Sequence, residues 1–165
     1  MEHLWAPWRM QYIENEIDKT DGCIFCEFPK ANADEKYLIP YRSHKCFVIL
    51  NKFPYNNGHV MVVPYMHTGN FTALPADVLL DLQQTIQKTI QVMQNIMHPH
   101  GFNVGMNIGR TAGAGIDEHL HFHIVPRWDG DTNFMPILAN TKVVSESLEA
   151  TFKKFKNEFE RLFVR

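Results

Sequence analysis

The stretch His119-Leu120-His121-Phe122-His123-Ile124-Val125 constrains the fold more than any other part of this chain. Successive side chains of a β-strand point to opposite faces, so as a strand it carries three imidazoles on one face. Leu120, Phe122 and Ile124 then face the other way, into a core. Such a strand belongs in a sheet with one face covered and the other given to chemistry. Imidazole acts as nucleophile, general acid or metal ligand near neutral pH, so the pattern admits either a covalent site or a three-histidine metal site. A merely solvated, histidine-rich face does not account for so sharp an alternation.

The surrounding pattern supplies the rest of a sheet. Lys45–Leu50 and His59–Val63 read as strands joined by a long hairpin loop through Pro54 and Asn56-Asn57-Gly58. From Pro75 to Met97 the period changes. Leu79, Leu82, Ile86, Ile90, Met93 and Met97 recur every three or four residues along one helical face. Pro75 suits the first turn, and His98-Pro99-His100-Gly101 ends the run. Phe102–Ile108 alternates again, with Phe102, Val104, Met106 and Ile108 on one side. Leu148, Phe152, Phe155, Phe159 and Leu162 mark a C-terminal helix over 145–164, entered through Ser145. Residues 1–20 form an arm that packs by its aromatics, Asp21–Cys26 a tight turn, and 27–44 irregular structure around Pro29 and Pro40. The expected class is α+β with an antiparallel sheet, as a single domain over 1–165.

Composition narrows the partners. A formal charge of −2 gives no general attraction to nucleic acid or membrane, so phosphate recognition has to be local. No apolar run reaches the roughly 18–20 residues that span a bilayer. The start of the chain has neither the basic residues nor the apolar stretch of a signal peptide. Of three cysteines, Cys23 and Cys26 are close and Cys46 is left over, which is no disulfide framework. A reducing cytoplasm is expected.

Several segments together resemble the histidine-triad family of nucleotidyl hydrolases and transferases. His119–Val125 matches the family's His-φ-His-φ-His-φ-φ signature, where φ is an apolar residue. Asn51, with Gly58-His59-Val60-Met61-Val62-Val63-Pro64 downstream, resembles its Asn…Gly-His-φ-φ-φ-Pro segment, and Asn107 before a glycine-rich loop also fits. Leu4–Arg9, Cys23-x-x-Cys26, and Pro126-Arg127-Trp128 followed by Gly130-Asp131-Thr132-Asn133-Phe134 are similar to a prokaryotic branch that includes diadenosine tetraphosphate phosphorylases. The resemblance implies a half-barrel antiparallel sheet crossed by one long helix, a nucleotide substrate and a two-fold homodimer. It makes His121 the nucleophile, with His123 contacting the phosphate and His59 supporting from the neighbouring strand. Read alone, His59 is only a polar residue opening an apolar strand.

The residue chemistry agrees with that implication. A neutral imidazole can attack an α-phosphorus and form a nucleotidyl-histidine, which water or inorganic phosphate then cleaves. The loop Gly109–Gly115 lets backbone amides approach an anion, and lacks the Gly-Lys-Ser/Thr of a Walker loop. Ala114 and Gly115 are the candidate backbone donors, with the Asn107 amide beside them. Arg127, Thr132 and Asn133 are candidates for a second anion site that would favour phosphorolysis to ADP and ATP over hydrolysis. Asn51 suits a ribose diol. Phe47, Ile49 and Leu50 stand near the base, although Ile49 reads better as core.

Cys23-x-x-Cys26 on its own suits a redox pair or half a zinc site. The resemblance supplies His67 and His119 as the remaining ligands of a structural Zn2+, with His44 the rival for the third place. No organic cofactor is expected. Competing functions are cleavage of other nucleoside phosphate conjugates (phosphoramidates, adenylyl sulfate), a three-histidine metal-dependent enzyme, and a nucleotide-binding regulator with little turnover.

Overall fold

Two apolar faces on a single sheet explain how the chain is layered. The computed structural model describes residues 22–131 and 146–164. The expected aromatic arm, Ser145, and Thr132, Asn133 and Phe134 lie outside those residues. In chain order the strands are β1 (Tyr41–Arg42), β2 (Cys46–Leu50), β3 (Val60–Pro64), β4 (Gly101–Gly105) and β5 (Phe122–Arg127). They form one sheet in the order β1-β2-β3-β5-β4, with every neighbouring pair antiparallel. The α+β class and the open antiparallel sheet are as expected.

Every residue of β2 and β3 is buried, because both faces of the sheet are covered there. Cys46, Val48, Leu50, Val60, Val62 and Ile124 pack with Leu82, Ile86, Val92 and Met93 of the long helix and with Phe152, Phe155 and Phe159 of the C-terminal helix. On the other face Phe47, Ile49, Met61 and Val63 pack with Phe25 and Ile39. That second layer corrects the reading of residues 21–44. In place of a tight turn and irregular chain there are two short helices, α1 (Ile24–Lys30) and α2 (Asp34–Tyr37), followed by β1. Pro29 lies in the last turn of α1, where it removes a single donor, and burial of Phe25 and Ile39 holds what propensity alone would not.

The long helix, α3, runs Ala76–Met97 with Pro75 at its N-cap rather than inside its first turn. It ends where His98 turns left-handed at φ 47°, and Gly101 belongs to β4, not to the stop. Its buried face is Val78, Leu82, Thr85, Ile86, Thr89, Val92 and Met93, with Leu79, Ile90 and Met97 half-buried at its margins. The two threonines escape a hydrophobic pattern because their hydroxyls are satisfied within the core. Thr89 Oγ1 donates to Thr85 O at 2.7 Å, and Cys46 Sγ donates to Thr85 Oγ1 at 3.2 Å.

Two further boundaries shift. β4 stops at Gly105, and Val104 and Ile108 of the expected apolar row are 44% and 53% exposed, at the open edge of the sheet. The C-terminal helix, α4, spans Leu148–Phe163 and is capped by Ser147, whose hydroxyl accepts from Ala150 N.

Candidate active site and metal cluster

The ladder of β5 begins at Phe122, so of the three alternating histidines only His123 is in the sheet. Val62 pairs with Phe122; two residues further, the register would set Leu120 opposite Pro64, which has no amide hydrogen. The backbone leaves the ladder there, and Leu120 N donates to Thr68 O at 2.9 Å instead. The alternation of faces survives. Leu120 packs with Leu74 and Val78, Ile124 lies under α3, and the Phe25 ring on the opposite side sits 5.5 Å from His119 and 5.1 Å from His121.

Backbone groups dictate which nitrogen of each neutral ring carries hydrogen. His121 Nδ1 lies 2.9 Å from His119 O, and a carbonyl only accepts, so the hydrogen is on Nδ1 and the lone pair on Nε2. Burial lowers the pKa of His121, more than this hydrogen bond raises it, which keeps the ring neutral. Tyr55 N donates to His59 Nδ1 at 3.0 Å, which puts the His59 hydrogen on Nε2. That hydrogen is donated to His123 Nδ1 at 2.9 Å, leaving the His123 hydrogen on its own Nε2. The His121 and His123 rings meet edge to face at 5.0 Å. A bare nitrogen and an N–H donor therefore stand side by side.

Gly58 permits this packing. It adopts φ 77°, a conformation that strains any other residue, and the Met97 side chain at the end of α3 fills the space where a Cβ would stand.

His121 and His123 open onto a cavity of about 480 Å3. Asn51 and Gly115 share its wall with them, and the Asn51 side-chain oxygen accepts from Phe53 N at 2.9 Å. Ile49, assigned to the core from sequence, is 4% exposed and also lines the cavity, as does Leu50, whereas Phe47 does not. Asn107 and Ala114 stand behind the wall. Asn107 Nδ2 donates to Gly113 O at 3.3 Å and Ala114 N to Gly109 O at 3.3 Å, so both brace the loop, and Gly113, at φ 94°, is the residue that turns toward the cavity.

Arg127 departs from its expected role. Its guanidinium grips Asp131 through Nε at 2.6 Å and Nη2 at 2.8 Å, and Nη1 donates to Asn103 at 2.9 Å. The Arg127 hydrogen bonds hold the Asp131 carboxyl down to about 2. Arg127 does not line the cavity; Lys36 and Lys52 do. Tyr55, Phe28, Tyr37 and the first residues of α4, Leu148 and Glu149, also line it and were not singled out from sequence. For Tyr55, Phe28 and Tyr37 the only advance signal was an aromatic residue within segments that read as loop, while Leu148 and Glu149 fell in the expected C-terminal helix.

The three histidines do not converge on one ion. His119 turns away from His121 and joins Cys23, Cys26 and His67, whose ligand atoms all lie within 4.8 Å of one another. His119 Nδ1 is 3.3 Å from Cys23 Sγ, 3.6 Å from Cys26 Sγ and 3.2 Å from His67 Nδ1, and His67 Nδ1 is 3.3 Å from Cys26 Sγ. These four separations, 3.2–3.6 Å, lie close to the edge lengths of a tetrahedron of N and S ligands around one ion, about 3.3–3.8 Å. His119 Nε2 donates to Pro64 O at 2.8 Å, which bares Nδ1 as a ligand should be, and burial favours its neutral form. Cys23 caps α1 and Cys26 lies one turn on, so the helix sets the thiol spacing. His44 is exposed and stands outside this cluster.

Known proteins share this sequence pattern and fold. The HIT domain family model matches residues 32–130. The AP-4-A phosphorylase of Mycobacterium tuberculosis is 39% identical over 98% of this chain and 86% of its own length. A Zn-bound histidine triad family protein from Mycobacterium smegmatis superimposes with a TM-score of 0.69 at 23% identity, covering 86% of this chain and 96% of that one. A hypothetical histidine triad nucleotide-binding protein from Sulfolobus tokodaii gives a TM-score of 0.69 at 27% identity over 86% of this chain and 97% of its own. From the family model and the near full-length relative, the chain belongs to the histidine-triad (HIT) family.

Proposed function

We propose that this protein is a nucleotidyl transferase that cleaves diadenosine tetraphosphate at an α-phosphorus, with His121 as nucleophile. The observation that carries the reading is the bare Nε2 of a neutral, buried His121 beside the Nε2–H of His123 on one cavity wall. The His121 lone pair forms a bond to the α-phosphorus as the bond to the bridging oxygen breaks, and ATP departs with that electron pair. The His123 N–H hydrogen-bonds the departing bridging oxygen of the phosphate as charge builds there. His59 supports His123 from behind, and Asn51 stands where it can meet ribose hydroxyls. Gly115 contributes main-chain approach to phosphate, while Asn107 and Ala114 act by holding the loop.

In the second step inorganic phosphate attacks the adenylyl-His121, releasing ADP and returning the lone pair to Nε2. The preference for phosphate over water is supported by the extent of similarity to a relative named AP-4-A phosphorylase. It no longer draws on Arg127, whose charge is committed to Asp131.

Zinc belongs to the same proposal. Cys23, Cys26, His67 and His119 would hold it as a closed four-ligand site that ties α1 to the segment before β5 and takes no part in bond making. Thiol ligands of this kind persist in a reducing compartment, in keeping with a cytoplasmic location. The open edge of β4, with Val104 exposed, suits a two-fold homodimer.

The deciding experiment follows diadenosine tetraphosphate with and without inorganic phosphate. ADP plus ATP, at a rate rising with phosphate, supports the proposal. AMP plus ATP formed equally well without phosphate means a hydrolase, and no cleavage at all removes the reading.

A further inference from the structure

Tyr55 has no part in the chemistry so far, yet it touches the histidine pair in two independent ways. Its main-chain N–H fixes the His59 tautomer at 3.0 Å. Its ring lies over both imidazoles, 4.6 Å from His59 at 34° and 5.9 Å from His123 at 29°. The same ring lines the cavity and is 37% exposed while packing against both imidazoles.

We propose that Tyr55 is a positioning residue which holds the His59–His123 pair in the one tautomer that presents an N–H from His123 Nε2 to the reacting phosphate. The inference rests on the cleavage reading above only for the identity of the group that receives the hydrogen bond.

The physical argument concerns competition. A neutral imidazole exchanges its hydrogen between two nitrogens of similar basicity, and water assists the exchange. With His59 Nε2–H donated to His123 Nδ1, the second tautomer of His123 would set two N–H groups against each other at 2.9 Å. That exclusion holds only while His59 keeps its own hydrogen on Nε2. The Tyr55 amide ensures this, and the stacked ring excludes the water that would break either link. The ring over the two imidazoles is what matters, and Tyr55→Phe retains it whereas Tyr55→Ala removes it.

Two measurements test it. Long-range proton–nitrogen NMR of the imidazoles assigns the His59 and His123 tautomers without any turnover. Wild type and Tyr55→Phe should show hydrogen on Nε2 of both rings and a slowly exchanging His59 proton. Tyr55→Ala, with an unchanged amide fold, should show mixed tautomers at His123 and loss of that slow proton. In kinetics with a series of aryl esters of AMP, kcat/KM reports formation of the adenylyl-enzyme. Tyr55→Ala should lose about 10- to 100-fold on the phenyl ester, and markedly less on the p-nitrophenyl ester, whose departing oxygen needs less help. KM should change less than the rate. Mixed tautomers in wild type, or an Ala variant with wild-type tautomers and an equal loss on every ester, overturn the proposal. Absence of turnover by wild type would overturn the cleavage reading and leave the NMR result to judge Tyr55.

Discussion

His121 donates its Nδ1 hydrogen to the main-chain carbonyl of His119, 2.9 Å away, while the His119 side chain belongs to the Cys–His cluster. One residue thus faces two sites. Its imidazole is placed by Cys23, Cys26 and His67, and its carbonyl aims the nucleophile. Any change in how the cluster holds His119 reaches His121 through a single peptide unit.

Metal removal is therefore expected to act on both stability and rate. Protein prepared without chelator should contain about one zinc per chain, and Cys26→Ser or exhaustive chelation should lower the thermal midpoint by several degrees, on the order expected when a folded-state ligand is lost. Turnover of the still folded fraction should also fall, because the His119 carbonyl is no longer held. Elemental analysis paired with thermal denaturation checks the first point. Metal-free protein melting like the loaded form would remove the structural assignment.

Replacing the nucleophile should separate binding from chemistry. His121→Ala is expected to reduce kcat by several orders of magnitude, as for members of a catalytic unit, while the affinity for AMP changes only a few-fold. Rapid quench of wild type with labelled diadenosine tetraphosphate should trap an acid-labile phosphorus–nitrogen adduct that the variant does not form. An active variant would refute the role of His121.

The buried Cys46 thiol predicts a pH dependence of stability. Burial is the largest cause raising its pKa, to about 12, and contact with Asp81 adds to it while the Thr85 hydrogen bond opposes it. The folded value lies above the unfolded value of 9.0, so the contribution is complete below pH 9 and is lost as pH rises toward 12. The upper limit of the slope is about 1.4 kcal/mol per pH unit. Urea unfolding of wild type and Cys46→Ala at several pH values should show their difference shrinking through this window. A constant difference would contradict it, as would modification of Cys46 itself by a thiol reagent in the folded protein at pH 8, with Cys23 and Cys26 told apart by peptide mapping.

Arg127 should matter for structure and not for the acceptor. Arg127→Ala is expected to lower the thermal midpoint modestly, since it frees Asp131 and Asn103, and to leave the phosphate dependence of turnover within about two-fold of wild type. A titration with inorganic phosphate decides the matter, and a large rise in the phosphate KM would restore Arg127 to the anion site.

Most of the sheet was legible because its strands alternate or run apolar between turn residues, and the face of each triad position followed from parity alone. The end of the β5 ladder was not legible from β5 itself. It depends on Pro64 across the sheet, and strand partners do not show in a local pattern. The helices between Ile24 and Tyr37 were missed for a related reason: they are short, one contains Pro29, and burial of Phe25 against β2 and β3 stabilises them. The inner wall of the cavity was partly read, since motif residues such as Asn51 carry their chemistry openly. Asn107 and Ala114 brace the loop instead of facing the cavity, a distinction that depends on which amide already has a partner.

The place of β5 between β3 and β4 also sets an order of events during synthesis. A nascent chain that ends before residue 119 can pair β1, β2 and β3, but β4 has no neighbour there, since among the described residues its partner is β5. Cys23, Cys26 and His67 have by then emerged without the His119 that completes their cluster, and His59 without His123. Docking of β5 together with the segment before it closes the sheet, completes the ligand set and brings the imidazole pair into register. Stalled or truncated products therefore lack both sites at once, and loading with metal in the cell would report that the last strand has docked.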